Sequence, residues 1–80
     1  MDYFVYILYS ETLNLYYKGF SLNVEQRLED HLAGKSEFTS RAQDWKIVYK
    51  KAFETKREAL IDEKRLKKLN RNSLEKIIRS

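Results

Sequence analysis

Eighty residues without cysteine or proline leave room for one small domain, residues 1–80, and exclude a disulfide framework and any thiolate metal site. The single histidine also excludes a His-rich zinc site, so a metal would need carboxylate ligands, which favours Mg²⁺ or Mn²⁺. Residues 1–49 carry five Lys and Arg against seven Asp and Glu, whereas residues 50–80 carry eleven against five. This asymmetry favours a negatively charged partner such as nucleic acid, although a solvated basic helix has the same composition.

The first half of the chain predicts a β-hairpin and a helix. Residues 3–9 form an aromatic and β-branched run without breakers, which indicates a central strand. Residues 15–20 form its antiparallel partner after a five-residue connection. A helix is expected over residues 24–33, with Ser21 or Asn23 as its N-cap.

The second half predicts a polar loop over residues 35–44, a third strand over residues 45–53 and two further helices. Thr55 and Glu58 form a capping box, and Asn72 is expected to cap the last helix. Strict alternation in the third strand predicts one face made of Trp45, Ile47, Tyr49 and Phe53. The order β-β-α-β-α-α is typical of an α+β fold in which helices pack on a sheet.

Glu63 is a polar residue at a position that helical spacing predicts to be apolar. The buried stripe of its helix is expected to contain Ala59, Leu60, Leu66 and Leu69, and Glu63 falls between them. A buried carboxylate is costly unless it is paired, hydrogen-bonded or bound to a metal. Glu63 is therefore a metal ligand, a glutamate at the rim of the buried stripe, or a structural glutamate paired with an arginine.

Arg27 and His31 are four residues apart, so they are neighbours on one face of the first helix, at the border of its apolar stripe. A guanidinium and an imidazole can hold a phosphate and move a proton, although an ordinary boundary pair would have the same spacing. On the hairpin, Tyr6 lies on the first strand, and Tyr17 and Gly19 share one face of the second. Glycine within a strand leaves room for a close approach.

Together these side chains form a set suited to metal-assisted phosphodiester hydrolysis. In their order and spacing they resemble the GIY-YIG nuclease family, over roughly residues 3–78. Phe4-Val5-Tyr6 corresponds to the first triplet of the family, and Tyr17-Lys18-Gly19 corresponds to the second. Arg27 followed by His31 matches the arginine that precedes a histidine or tyrosine, and Glu63 matches the late metal-binding glutamate.

The resemblance implies a three-stranded antiparallel sheet flanked by helices, and a DNA endonuclease that acts on double-stranded or branched DNA in repair or recombination. It implies that Glu63 binds one Mg²⁺ or Mn²⁺ and that Arg27 stabilises the scissile phosphate. Tyr6, Tyr17 and His31 would form the proton-transfer network around the attacking water, with the general base left open among the three.

Two other functions fit the sequence: a nucleic-acid-binding module with weak or no catalysis, and a small interaction domain in which Glu63 pairs with Arg27 or another cation. The acidic start, Met1-Asp2, predicts no secretory signal, and no apolar run is long enough for a membrane span, so a cytoplasmic protein is expected. We expect a monomer or weak homodimer. Four cations are candidate phosphate contacts, although they could equally be ordinary solvated surface charges: Lys18, Lys35, Arg41 and Lys46.

Overall fold

The computed structural model describes residues 2–80; Met1, on which the prediction about a secretory signal partly depends, lies outside them. Three strands form an antiparallel sheet in the order β2-β1-β3, which confirms the predicted α+β fold and the central place of the first strand. Among residues 2–80 there is no helix with the length and apolar character needed to cross a bilayer. The elements are β1 (Tyr3–Ser10), β2 (Leu15–Ser21), α1 (Val24–Leu32), a 3₁₀ turn (Thr39–Arg41), β3 (Lys46–Phe53), α2 (Lys56–Lys68) and α3 (Arg71–Arg79).

The sheet is covered on both faces, because β1 is apolar or aromatic at almost every position. On one face, here called the Val5 face, Val5 and Ile7 pack against Leu66 of α2 and Leu74 of α3. The opposite face, the Tyr6 face, is formed by Tyr6 and Leu8. Its covering residues come from α1 and from the segment that leads into β3: Val24, Ala42 and Trp45.

Side-chain caps fix where two of the helices begin. Asn23 caps α1 by accepting a hydrogen bond from the backbone N–H of Gln26 at 3.1 Å. Thr55 and Glu58 form the predicted capping box at the start of α2. These caps satisfy backbone N–H groups that have no partner inside the helix.

The last two helices differ from the prediction in two details. Asn70, not Asn72, caps α3, because its side chain accepts from the backbone N–H of Ser73 at 2.9 Å. In α2 the buried stripe contains Asp62, which is 8% exposed and pairs with Arg65 at 2.8 Å. Leu60, predicted on this stripe, is 37% exposed.

The predicted single face of the third strand is wrong because β3 contains a bulge. The register passes from Ile7↔Tyr49 to Leu8↔Ile47, so Val48 is an extra residue. Because of the extra residue, side chains that a regular strand would place on the same face lie on opposite faces before and after the bulge. Trp45 and Ile47 therefore lie on the Tyr6 face, whereas Val48, Tyr49 and Phe53 pack on the Val5 face.

Candidate active site

A chain of hydrogen bonds crosses the buried centre of the Tyr6 face. The Tyr6 hydroxyl lies 3.1 Å from Nε2 of His31, and Nδ1 of His31 lies 2.7 Å from the Thr39 hydroxyl. Trp45 Nε1 donates to the backbone oxygen of Thr39 at 2.9 Å. Tyr6, His31 and Thr39 are each at most 1% exposed, so these polar groups depend on one another for hydrogen bonds.

His31 lies deeper than the border position that its helical spacing predicts. Burial lowers its pKa, the charge of Arg27 lowers it further, and Asp30 opposes the shift. A pKa below 6.5 keeps the imidazole neutral at pH 7, so one ring nitrogen donates a hydrogen bond and the other accepts one. His31 can therefore take up a proton.

Gly19 lets the Tyr6 ring cross strand β2. The two residues are direct partners in the sheet, and a Cβ atom at Gly19 would lie 2.5 Å from the Tyr6 hydroxyl oxygen. Any other residue would displace the ring. Two positions away on β2, the Tyr17 ring centroid lies 4.7 Å from that of His31 and 6.3 Å from that of Tyr6.

Arg27 lies at the solvent side of this group, with 44% of its side chain exposed and with Nη1 3.8 Å from an Asp30 carboxylate oxygen. Interaction with the Tyr6 phenol is the main influence that raises the pKa of Arg27. Burial raises the pKa of Tyr6, Arg27 opposes that rise, and Tyr17 and Glu63 add to it. The charges of Arg27 and Glu63 thus both act on the Tyr6 hydroxyl.

The Glu63 side chain is 16% exposed and lies 3.6 Å from the ammonium group of Lys67, one turn later on α2. The structural alternative predicted a pairing of Glu63 with Arg27 or another cation: Arg27 pairs with Asp30, and Lys67 is the cation that contacts Glu63. Within residues 2–80, no three His, Cys, Asp or Glu side chains cluster to hold a metal ion. A single carboxylate fits Mg²⁺ or Mn²⁺, because such ions are often held by one or two carboxylates together with water and substrate phosphate.

Two of the four candidate phosphate contacts lie beside this group. Lys18 lines a hollow of about 360 Å³ together with Tyr17 and residues of α2 and of the loop before the 3₁₀ turn. Lys35 Nζ lies 3.4 Å from Asp30, the residue that also pairs with Arg27. Arg41 is exposed at the end of the 3₁₀ turn, and Lys46 is exposed at the start of β3, opposite Tyr9.

Three further residues at this group were missed by reasoning from sequence: Phe38, Thr39 and Trp45. Thr39 lies in a polar segment where nothing in the pattern distinguishes it from its neighbours. Trp45 could have been identified, because a buried tryptophan usually donates a hydrogen bond from its indole N–H. Phe38 is an isolated aromatic residue in a polar loop, which is also a recognisable feature.

Comparisons with known proteins agree on one family. Residues 2–77 match the model of the GIY-YIG catalytic domain. A UPF0213 protein of Bacillus licheniformis is 41% identical over 63 residues, which cover 78% of this chain and 65% of that relative, just under two thirds of its length. A UPF0213 protein of Oceanobacillus iheyensis is 36% identical over 78 residues, covering 96% of this chain and 90% of the relative.

The fold comparison points the same way. The solution NMR structure of a UPF0213 protein from Bacillus halodurans superposes with a TM-score of 0.63 and 30% identity. The match covers 98% of this chain and 83% of that one.

Proposed function

Since this chain belongs to the GIY-YIG family, we propose that it is a divalent-metal-dependent DNA endonuclease that hydrolyses phosphodiester bonds, with a role in DNA repair or recombination. The observation that carries the proposal is the 3.1 Å hydrogen bond between Tyr6 and the buried, neutral His31. It joins a phenol to the group that can take up its proton, and Arg27 lowers the pKa of that phenol against the larger effect of burial, which raises it.

Arg27 binds the scissile phosphate in this proposal. It is the exposed cation of the group, so a phosphate can reach it without disturbing the core. A guanidinium can donate two parallel hydrogen bonds to phosphate oxygens and stabilises the negative charge that grows on them as water attacks. Asp30 is 3.8 Å away and orients the guanidinium.

The Tyr6–His31 pair accepts the proton of the attacking water: the Tyr6 oxygen takes that proton while the Tyr6 hydroxyl proton moves to Nε2 of His31. A neutral phenol is a poor base near pH 7, whereas a neutral imidazole nitrogen can hold an added proton. Because both residues are at most 1% exposed, the attacking water must enter beside Tyr17, which lines the open hollow and packs against the His31 ring. Thr39 holds the other ring nitrogen and so fixes the orientation of the imidazole.

Glu63 is the residue that would hold the metal, in place of its contact with Lys67. One Mg²⁺ or Mn²⁺ bound there would supply positive charge for the leaving oxygen. The surrounding cations Lys18, Lys35, Arg41 and Lys46 would contact neighbouring phosphates.

The test is incubation with supercoiled, nicked, branched and single-stranded DNA in Mg²⁺ or Mn²⁺. We expect cleavage of at least one substrate, abolished by EDTA and reduced at least about 100-fold by Glu63→Gln. Glu54→Gln removes an exposed charge just before α2 and should cleave like the wild type. Equal activity in Glu63→Gln, or no cleavage of any substrate, rejects the nuclease proposal.

The same samples test the alternative of a binding module without catalysis. The net charge of residues 50–80 favours it, since eleven Lys and Arg there face five acidic residues. Such a module would bind DNA in a strongly salt-dependent way, because phosphate contacts dominate its affinity. Binding that persists in Glu63→Ala, with no cleavage by the wild type, selects this alternative.

A further inference from the structure

An exposed aromatic side chain lies at the rim of the candidate active site. Phe38 is 40% exposed, and the other exposed large apolar side chains among residues 2–80 are aliphatic. Its ring is held between two others: its centroid is 5.8 Å from that of Tyr17 and 6.2 Å from that of Trp45. Phe38 therefore presents a fixed aromatic surface to solvent, directly beside a proposed site residue.

The space beside Phe38 is open and basic. The hollow of about 360 Å³ that Tyr17 and Lys18 line is bounded by Phe38 on one side and by Lys67 on another. Lys67 is also the residue 3.6 Å from Glu63, so the hollow adjoins the carboxylate proposed to hold the metal. Arg41 and Glu37 line a second hollow next to Phe38, so the excess of positive charge is on the side of Lys18 and Lys67.

An aromatic surface flanked by cations is the combination that binds unpaired nucleotides. Bases stack on exposed rings, and neighbouring lysines contact the phosphates that link them. In a duplex the same bases are already stacked and paired, so their faces are not available to a protein ring. The arrangement thus favours unpaired nucleotides over a duplex.

We propose that Phe38 is a stacking platform for an unpaired base, so that this chain takes single-stranded or branched DNA with an unpaired nucleotide next to the scissile phosphate. Lys18 and Lys67 contact the flanking phosphates. This inference rests on the proposed function, because it assumes that the substrate is nucleic acid.

The experiment measures binding by fluorescence anisotropy in EDTA, so that cleavage plays no part. The probes are a labelled oligothymidine, an abasic strand of equal length and charge, and a duplex of equal length. Phe38→Leu keeps the apolar contacts with Tyr17 and Trp45 but removes the ring. Phe38→Trp restores an aromatic surface, and Leu22→Ala is the control at an exposed apolar residue outside the hollow.

We expect Phe38→Leu to weaken binding of oligothymidine about tenfold, since stacking contributes about 1–3 kcal/mol per base. Binding of the abasic strand and of the duplex should not change, Phe38→Trp should bind like the wild type, and Leu22→Ala should have no effect. Equal loss on all three probes, or no loss on oligothymidine, overturns the inference.

The outcome is separable from that of the nuclease proposal. Cleavage by the wild type with unaltered binding by Phe38→Leu refutes only the stacking platform. Ring-dependent binding without any cleavage supports the platform and refutes the nuclease. Thermal unfolding followed by circular dichroism checks that Phe38→Leu folds, and Phe38→Trp supplies a second variant whose rescue depends on the ring alone.

Discussion

The two faces of the sheet are built from alternate residues of the same strand, and they differ in what they bury. Val5 and Ile7 lie on one face, Tyr6 and Leu8 on the other, and none of the four is more than 1% exposed. Val5 and Ile7 pack in a cluster of apolar side chains from α2 and α3. The Tyr6 face buries a phenol, an imidazole and a hydroxyl joined by hydrogen bonds.

This difference separates the apolar packing of the Val5 face from the hydrogen-bonded part of the candidate site, whereas Glu63 lies on α2, which packs on the Val5 face. Apolar contacts are not directional, so the Val5 face stabilises the fold in proportion to the area it buries. On the Tyr6 face each polar group is fixed by its neighbour, and the loss of one partner leaves another unsatisfied. We expect substitutions of apolar residues on the Val5 face to lower stability while leaving the Tyr6–His31 hydrogen bond intact, and substitutions on the Tyr6 face to lower activity first.

The largest expected effect is on the Val5 face. Leu66→Ala removes a fully buried side chain that packs against Val5 and Ile7, and it should lower the free energy of unfolding by about 3 kcal/mol. Urea unfolding measures the change. Cleavage per folded molecule should remain within a few-fold of the wild type, and a loss of activity larger than the loss of folded protein would contradict the separation of the two faces.

The next effect is on the Tyr6 face. Tyr6→Phe removes the hydroxyl that bonds His31, and cleavage should fall about 100-fold, within the range of a lost acid–base group. The matched control is Tyr9→Phe on the same strand, because the Tyr9 hydroxyl bonds only Asn14 at the hairpin turn among the described residues. Equal rates for the two variants would remove Tyr6 from the mechanism.

Local signals predicted most of this fold. The hairpin, the capping box at Thr55 and the Asn23 cap each depend on a few adjacent residues, and all agree with the structure. The bulge at Val48 has no such signal, because Ile47-Val48-Tyr49 is an apolar run without a glycine or proline, which a regular strand buried on both faces would also have. Asn72 is the better cap by sequence, because Glu75 follows three residues later, but Glu75 accepts hydrogen bonds from Tyr16 and Arg71 instead, and Asn70 caps α3.

The candidate site was harder to predict than the fold, because its contacts join residues far apart in the chain. Helical spacing indicated that Arg27 and His31 are neighbours, but it did not indicate that His31 is fully buried against Tyr6. Thr39 is eight residues from His31 along an irregular segment, so no periodicity relates the two. The resemblance to a family supplied the set of residues, and the structure supplied their surroundings.

A smaller effect on cleavage is expected at Gly19, where the Tyr6 ring crosses strand β2. Gly19→Ala would place a Cβ atom 2.5 Å from the Tyr6 hydroxyl, so the ring must shift and cleavage should fall about tenfold. Gly34→Ala is the control: its φ of +77° makes alanine cost about 1–2 kcal/mol of stability, but the nearest atom to its Cβ, in Ser40, is 3.7 Å away. If both variants lose activity only in proportion to the loss of folded protein, the position of the Tyr6 ring over Gly19 has no role in catalysis.

The smallest expected effect is a dependence of stability on pH that originates on the Tyr6 face alone. Burial lowers the pKa of His31 below the value of 6.5 that it has in the unfolded chain, so the unfolded state takes up a proton first as the pH falls. The stability due to neutral His31 is fully present above pH 6.5 and is lost as the pH falls through the lowered pKa of the folded state.

Urea midpoints should therefore decline from pH 7 towards about pH 5. His31→Gln, which offers one donor and one acceptor but does not titrate, should flatten this decline, whereas Asp44→Asn should not, because the pKa of Asp44 is about 2. An equal decline in His31→Gln would mean that the histidine is not buried in its neutral form.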